Sequence, residues 1–172
     1  MTSEIISVIA NVALALSFVV GLIFGIVQVR SSARDRRERL TLDTLREFQT
    51  RQFVELMQFI ITRDMPSSRA EMQALPDNEQ AHIMQFGQEM ESLGILVAER
   101  LINIDLVDKT LGSFVTTSWE KYKKVFLDIR EKSPDPFLGE YFQWLAEVID
   151  ERMRKNPRKP FFETRTSIKL NR

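Results

Sequence analysis

Apolar residues are arranged along this chain in two regimes. Residues 5–29, IISVIANVALALSFVVGLIFGIVQV, hold no charged side chain, and only Ser7, Asn11, Ser17 and Gln28 interrupt the run. From about residue 40 onward apolar positions instead recur every three or four residues, separated by charged ones. A helix of 3.6 residues per turn that lays one stripe on a core has this period. The first regime has no such stripe. At 1.5 Å of rise per residue it is long enough for the roughly 30 Å hydrocarbon layer of a bilayer. It therefore predicts a transmembrane helix.

The second regime divides at its breakers. Leu42, Leu45, Phe48, Phe53, Leu56, Met57 and Ile60 form one stripe, bent at the polar run 49–52 and ended by Met65-Pro66. Ser68 with Glu71 reads as a capping box opening a short helix closed by Pro76, and Asp77 with Gln80 as a second cap. Ile83, Phe86, Met90, Leu93, Val97 and Leu101 give the clearest amphipathic pattern. Gly87 and Gly94 flank it, which predicts a closely packed neighbouring helix. Asn103-Ile104-Asp105 reads as a turn capped by Asp105. Leu111, Val115, Tyr122, Val125, Phe126 and Ile129 follow, with Ser118 within the stripe and Trp119 beside it. Glu120–Lys124 and Asp128–Lys132 lace the exposed face. Ser133-Pro134 stops that helix, and Asp135-Pro136 reads as the start of another bearing Leu138, Tyr141, Phe142, Leu145, Val148 and Ile149.

No stretch alternates apolar with polar residues, so the predicted fold is all-α. It consists of one N-terminal transmembrane helix followed by a small cytoplasmic bundle of four or five helices. The expected divisions are an anchor at 1–29 and a basic juxtamembrane segment at 30–63. A bundle core at 64–156 packs with 40–63, and a basic flexible tail covers 157–172.

Charge sets the expected orientation. Arg30, Arg34, Arg36, Arg37 and Arg39 follow the span and no Lys or Arg precedes it, which keeps the following domain cytoplasmic. The apolar run is too long for a cleaved signal peptide and lacks a basic start, so it reads as a retained signal-anchor. Ala13, Ser17, Gly21 and Gly25, each four residues apart, form a small-residue groove of the kind that lets membrane helices pack together. Self-association through that groove is the expectation. Residues 64–117 carry three basic and nine acidic side chains, whereas 151–172 carry eight basic and two acidic. The basic ends suit an anionic leaflet. Arg158, Lys159, Phe161, Phe162, Arg165 and Lys169 join the juxtamembrane arginines as expected headgroup contacts, with docking of the tail on the acidic stretch 64–117 as the competing expectation.

Candidate chemistry adds little. The absence of Cys removes disulfides, thiolate metal sites and cysteine nucleophiles together. His82, the one histidine, makes a Glu-x-x-His pair with Glu79, but a two-metal site needs a second such pair. No phosphate-binding loop or nucleophile elbow is present. Neither enzymatic activity nor a cofactor, metal or nucleic-acid partner is expected. The expected partners are the bilayer, a second copy and a cytoplasmic or membrane protein.

Leu93-Gly94-Ile95-Leu96-Val97, Leu106-Val107, Leu111-Gly112, Trp119-Glu120 and Phe142-x-Trp144-Leu145 resemble a bacterial family catalogued as domain of unknown function 4760. The resemblance implies one membrane helix before a short helical domain, located at the bacterial plasma membrane. It carries over no activity, cofactor or catalytic residue. Two readings follow, a membrane-anchored interaction or scaffold module and, alternatively, a lipid- or membrane-state sensor using the basic segments.

Overall fold

A computed structural model describes residues 2–132 and 135–159, with the side chains of 2–4 and 9 left aside. Ser133-Pro134 and the tail positions Phe161, Phe162, Arg165 and Lys169 lie outside the described residues. Six helices follow in order: α1 (Thr2–Glu47), α2 (Arg51–Thr62), α3 (Arg69–Gln73), α4 (Asp77–Ala98), α5 (Ile104–Lys132) and α6 (Glu140–Lys155). The class is all-α, one long apolar helix followed by a bundle.

α1 runs 46 residues without a break, about 69 Å at the standard rise. Its sequence supplies no proline, and its glycines at 21 and 25 are too few to end it. The polar run after it does the breaking, where Thr50 closes a turn onto the Glu47 carbonyl and caps α2 by accepting from Phe53 N at 3.2 Å. α2 then buries Phe53, Leu56 and Ile60 at helical spacing. The carbonyls at its C-terminal end are met from another helix. Lys121 Nζ donates to the Ile60, Ile61 and Arg63 oxygens at 3.0, 2.5 and 3.1 Å, placing a cation at the negative end of the helix.

The Ser68 cap opening α3 forms, with Glu71 N donating to Ser68 Oγ, but the Glu71 carboxylate accepts from Ser67 N at 2.8 Å, one residue before the cap, in place of the reciprocal bond of a capping box. Three other predicted starts are corrected. Asp77 lies inside the first turn of α4, after Pro76, and makes no side-chain cap. Asn103 rather than Asp105 caps α5, its Oδ1 accepting from Asp105 N at 2.8 Å. Asp135 accepts from Phe137 N in a turn, and α6 begins only after Gly139. An Asp bonded two residues ahead satisfies itself in a turn without committing the chain to a helix. Glu91 of α4 supplies what that start lacks, accepting from Tyr141 N and Phe142 N at 3.2 and 2.8 Å. Gly139 itself has φ +69, and a Cβ there would lie 2.5 Å from the Phe126 ring.

The core sits where α6 packs against both α4 and α5, with α2 covering α4 and α3 resting on α5. Phe86, Tyr122 and Phe142 are fully buried and their rings meet at 5.2–6.1 Å. Aromatic contacts at such separations add to area burial. Tyr122 Oη donates to the Ile83 carbonyl at 3.2 Å, and burial raises its pKa well above that of a free phenol. Two stripe positions are corrected. Leu101 lies beyond the end of α4 and is exposed, with Ile102 buried instead; Leu42 is exposed while Thr41 is buried. Glu120 pairs with Lys123 at 2.5 Å rather than with Lys124, while Asp128 and Lys132 pair as expected. Both glycines beside the α4 stripe face close neighbours: a Cβ on Gly87 would stand 3.1 Å from Phe126, and one on Gly94 2.4 Å from the Tyr141 carbonyl oxygen.

α4 ends in an unusual residue. Arg100 has φ 58, in the left-handed region. Arg100 N donates to Val97 O at 3.0 Å and Leu101 N to Leu96 O at 2.9 Å, the paired bonds of a Schellman turn. Glycine is the usual residue at this position, and a side chain there costs about 1 kcal/mol more.

Candidate functional site

The site builds from α1 toward the bundle. Every described side chain of residues 5–40 is exposed, Leu14 by 75% and Phe18 by 72%. Among the described residues one helix, α1, is long and apolar enough to cross a membrane. Ala13, Ser17, Gly21 and Gly25 recur at one helical turn, so they share one side of α1. Ser17 Oγ donates to Ala13 O at 2.8 Å, which satisfies the hydroxyl inside its own helix. Beyond its chain neighbours and the adjoining backbone of α1, no described atom comes within 4 Å of a Cβ built on Gly21 or Gly25.

The juxtamembrane arginines divide by what they touch. Arg34 pairs with Glu38 at 2.8 Å, and that hydrogen bond and charge raise its pKa. Arg37 Nη2 donates to the Ile102 carbonyl at 3.3 Å. One turn further on, buried Thr41 donates to Arg37 O at 2.7 Å and accepts from Asn103 N at 3.0 Å. These bonds fasten the connection between α4 and α5 to α1. Arg30, Arg36 and Arg39 enter no ion pair among the described residues.

Arg158 is held elsewhere. Its Nη2 donates to the Asp108 main-chain oxygen at 2.9 Å and stands 3.3 Å from the Asp108 carboxylate. Asp108 is buried, with Arg152 Nε 3.8 Å away, and Arg152 also pairs with Asp105. The first basic residue of the tail therefore docks on the acidic stretch of the domain. Lys159 is exposed.

The remaining titratable candidates have local partners. Glu79 pairs with Arg63, and the His82 ring lies 5.0 Å from that of Phe59.

Sequence reasoning missed the contribution of Arg100 and Leu101. Together with the α1 residues from Gln28 to Leu40 they line a groove of about 640 Å³. Its guanidinium groups come from Arg36, Arg37 and Arg100, and no Asp or Glu lines it. Nothing in the segment Glu-Arg-Leu-Ile signals a left-handed residue, and only the folded turn reveals it. Chemically the groove offers anion-binding donors beside apolar surface.

Two of the segments that carry the family resemblance meet in the fold, where the Trp119 and Phe142 rings lie 5.2 Å apart, and Gly94 of a third abuts Tyr141 beside Phe142. A family model described as Domain of unknown function (DUF4760) matches residues 15–152. No curated protein and no solved structure matches the chain. The matched region starts within the apolar half of α1 and ends in α6, so it takes in the helix, the groove and the core together, and the chain belongs to the DUF4760 family.

Proposed function

We propose that the protein is a membrane-tethered interaction module. α1 is its single-pass signal-anchor in a bacterial plasma membrane, with the N-terminus outside and the helical domain in the cytoplasm. One observation carries the reading: the apolar half of α1 is bare, while the bundle closes its own core around Phe86, Tyr122 and Phe142 without it. A continuous apolar surface of that size does not stay uncovered in water, and its length matches a bilayer. The arginines that follow it favour the cytoplasmic side. The domain is then a scaffold held at the inner surface, presenting helix faces to a cytoplasmic or membrane protein.

Two measurements test this on the full chain. It should stay with membranes through alkaline carbonate extraction, and a reporter active only outside the cytoplasm, fused after residue 172, should be silent. Release by carbonate overturns the anchor, and a strong reporter signal overturns the orientation. A stoichiometric protein partner should accompany the chain out of solubilised membranes. Purification with lipid alone argues against the module and for the sensor reading.

A further inference from the structure

The geometry points to a binding site for one anionic phospholipid in the groove between α1 and the connection joining α4 to α5. This inference rests on α1 being a membrane anchor and adds the ligand that its base would hold. Three observations converge on it. First, the groove is placed at the right height. Val29 ends the apolar run and Arg36 and Arg37 follow on the same side of the helix, about 10–12 Å further along the axis. Acyl chains would lie beside Val29 and the apolar run before it, and the headgroup phosphate beside the guanidinium groups, with Leu40 and Leu101 walling the headgroup end.

Second, the charge is one-sided. Arg36, Arg37 and Arg100 all line the groove with no carboxylate among its walls. The Arg34–Glu38 pair falls on the other side of α1 by the helical period. Arg37 spends one donor on Ile102 O and keeps others, and guanidinium forks suit phosphate oxygens.

Third, the third arginine occupies a position that the fold alone would give to glycine. Arg100 sits at φ 58 in the closing turn of α4, and its neighbour Leu101 is 48% exposed. A Schellman turn ordinarily tucks the residue after its left-handed position against the helix. Here that residue stands out toward α1. Strain held by a residue whose side chain the fold does not use marks a functional position.

The closing experiment exploits that strain. The full chain is purified in mild detergent, and native mass spectrometry measures retention of phosphatidylglycerol against phosphatidylcholine. Wild type should retain one phosphatidylglycerol, and soluble glycerol phosphate should not displace it. Arg100→Gly should melt at or above the wild-type temperature yet retain the lipid about tenfold less. Arg36→Gln should show the same loss. Retention within about twofold of wild type in both variants overturns the site, whatever their stability. Equal retention of phosphatidylcholine, or displacement by glycerol phosphate, overturns its assignment to an anionic lipid. Carbonate extraction of the same variants keeps the two readings apart. Chains that stay in the membrane but keep their lipid sink the site alone, whereas a wild-type chain released by carbonate removes the anchor.

Discussion

Gly94 lies so close to the main chain at Tyr141 that a Cβ added to it would stand 2.4 Å from the carbonyl oxygen and 2.6 Å from the carbonyl carbon. The obstacle is backbone at the first turn of α6, which is itself held by Glu91 of the same α4. Neither helix can yield without losing the cap. Gly94→Ala should therefore destabilise the domain by about 2 kcal/mol or more despite the better helix propensity of alanine. At Gly87 the nearest atom is the tip of the Phe126 ring, 3.1 Å away. There propensity and crowding nearly offset, and Gly87→Ala should stay within about 1 kcal/mol of wild type. Urea unfolding followed by far-ultraviolet circular dichroism compares them. Equal effects would show that the α4–α6 approach is looser than described.

Lys121 joins α5 to the end of α2 through three carbonyl oxygens. Lys121→Met keeps the aliphatic stem and removes the charged donor, and should cost about 2 kcal/mol. Amide exchange should quicken most in the last turn of α2. A change spread evenly over the bundle would mean that the lysine acts through packing.

Acid should loosen α3 before the rest of the bundle. The Asp128 carboxyl is held below its usual pKa by Lys132 and by the Arg69 N–H. The Glu71 carboxyl is held below its own by the main-chain and side-chain groups of Ser67. A folded-state pKa below the unfolded one means that the contribution is complete above the ordinary carboxylate range, about pH 4–5, and drains away as pH falls through the depressed values. The double variant Asp128→Asn with Glu71→Gln should flatten the fall in urea midpoint from pH 5 downward. An unaltered slope would assign the acid sensitivity to other carboxylates.

The open side of α1 at Ala13, Ser17, Gly21 and Gly25 predicts helix–helix contact in the bilayer. Replacing Gly21 and Gly25 with Ile puts branched side chains where two backbones would meet. Self-association of the full chain in a membrane two-hybrid assay should fall several-fold. Association that is indifferent to these changes would place any dimer contact in the bundle.

Much of this architecture is legible before folding because it follows from local rules. The bare apolar run, the bend at 49–52, the short α3 and the stripe from Ile83 to Val97 all depend on residues within a turn or two of one another. What escapes is carried by partners distant in sequence. The Asp135 side chain is indistinguishable in sequence from a helix cap, and the N–H groups at the later start of α6 are met by Glu91, on a helix about fifty residues away. Leu42, expected in the stripe, is exposed, and its neighbour Thr41 is buried instead, with its hydroxyl accepting from the Asn103 N–H, 62 residues on. Arg100 and Leu101 read as the end of an amphipathic stripe, and their significance depends on a backbone angle that no composition encodes.

The uninterrupted passage of α1 past residue 29 has a mechanical consequence. With no break before Glu47, the helix is a stiff shaft, and Thr41 and Arg37 clamp the bundle to it at a fixed azimuth. Any roll of the apolar half of α1 about its axis turns the bundle by the same angle, whereas a flexible tether would dissipate it. One residue inserted between 30 and 34 would swing the bundle by about 100°, while four would restore its heading to within about 40° and raise it by about 6 Å. Activity that alternates with such insertions, rather than declining with their length, would mark a protein that reports by rotation.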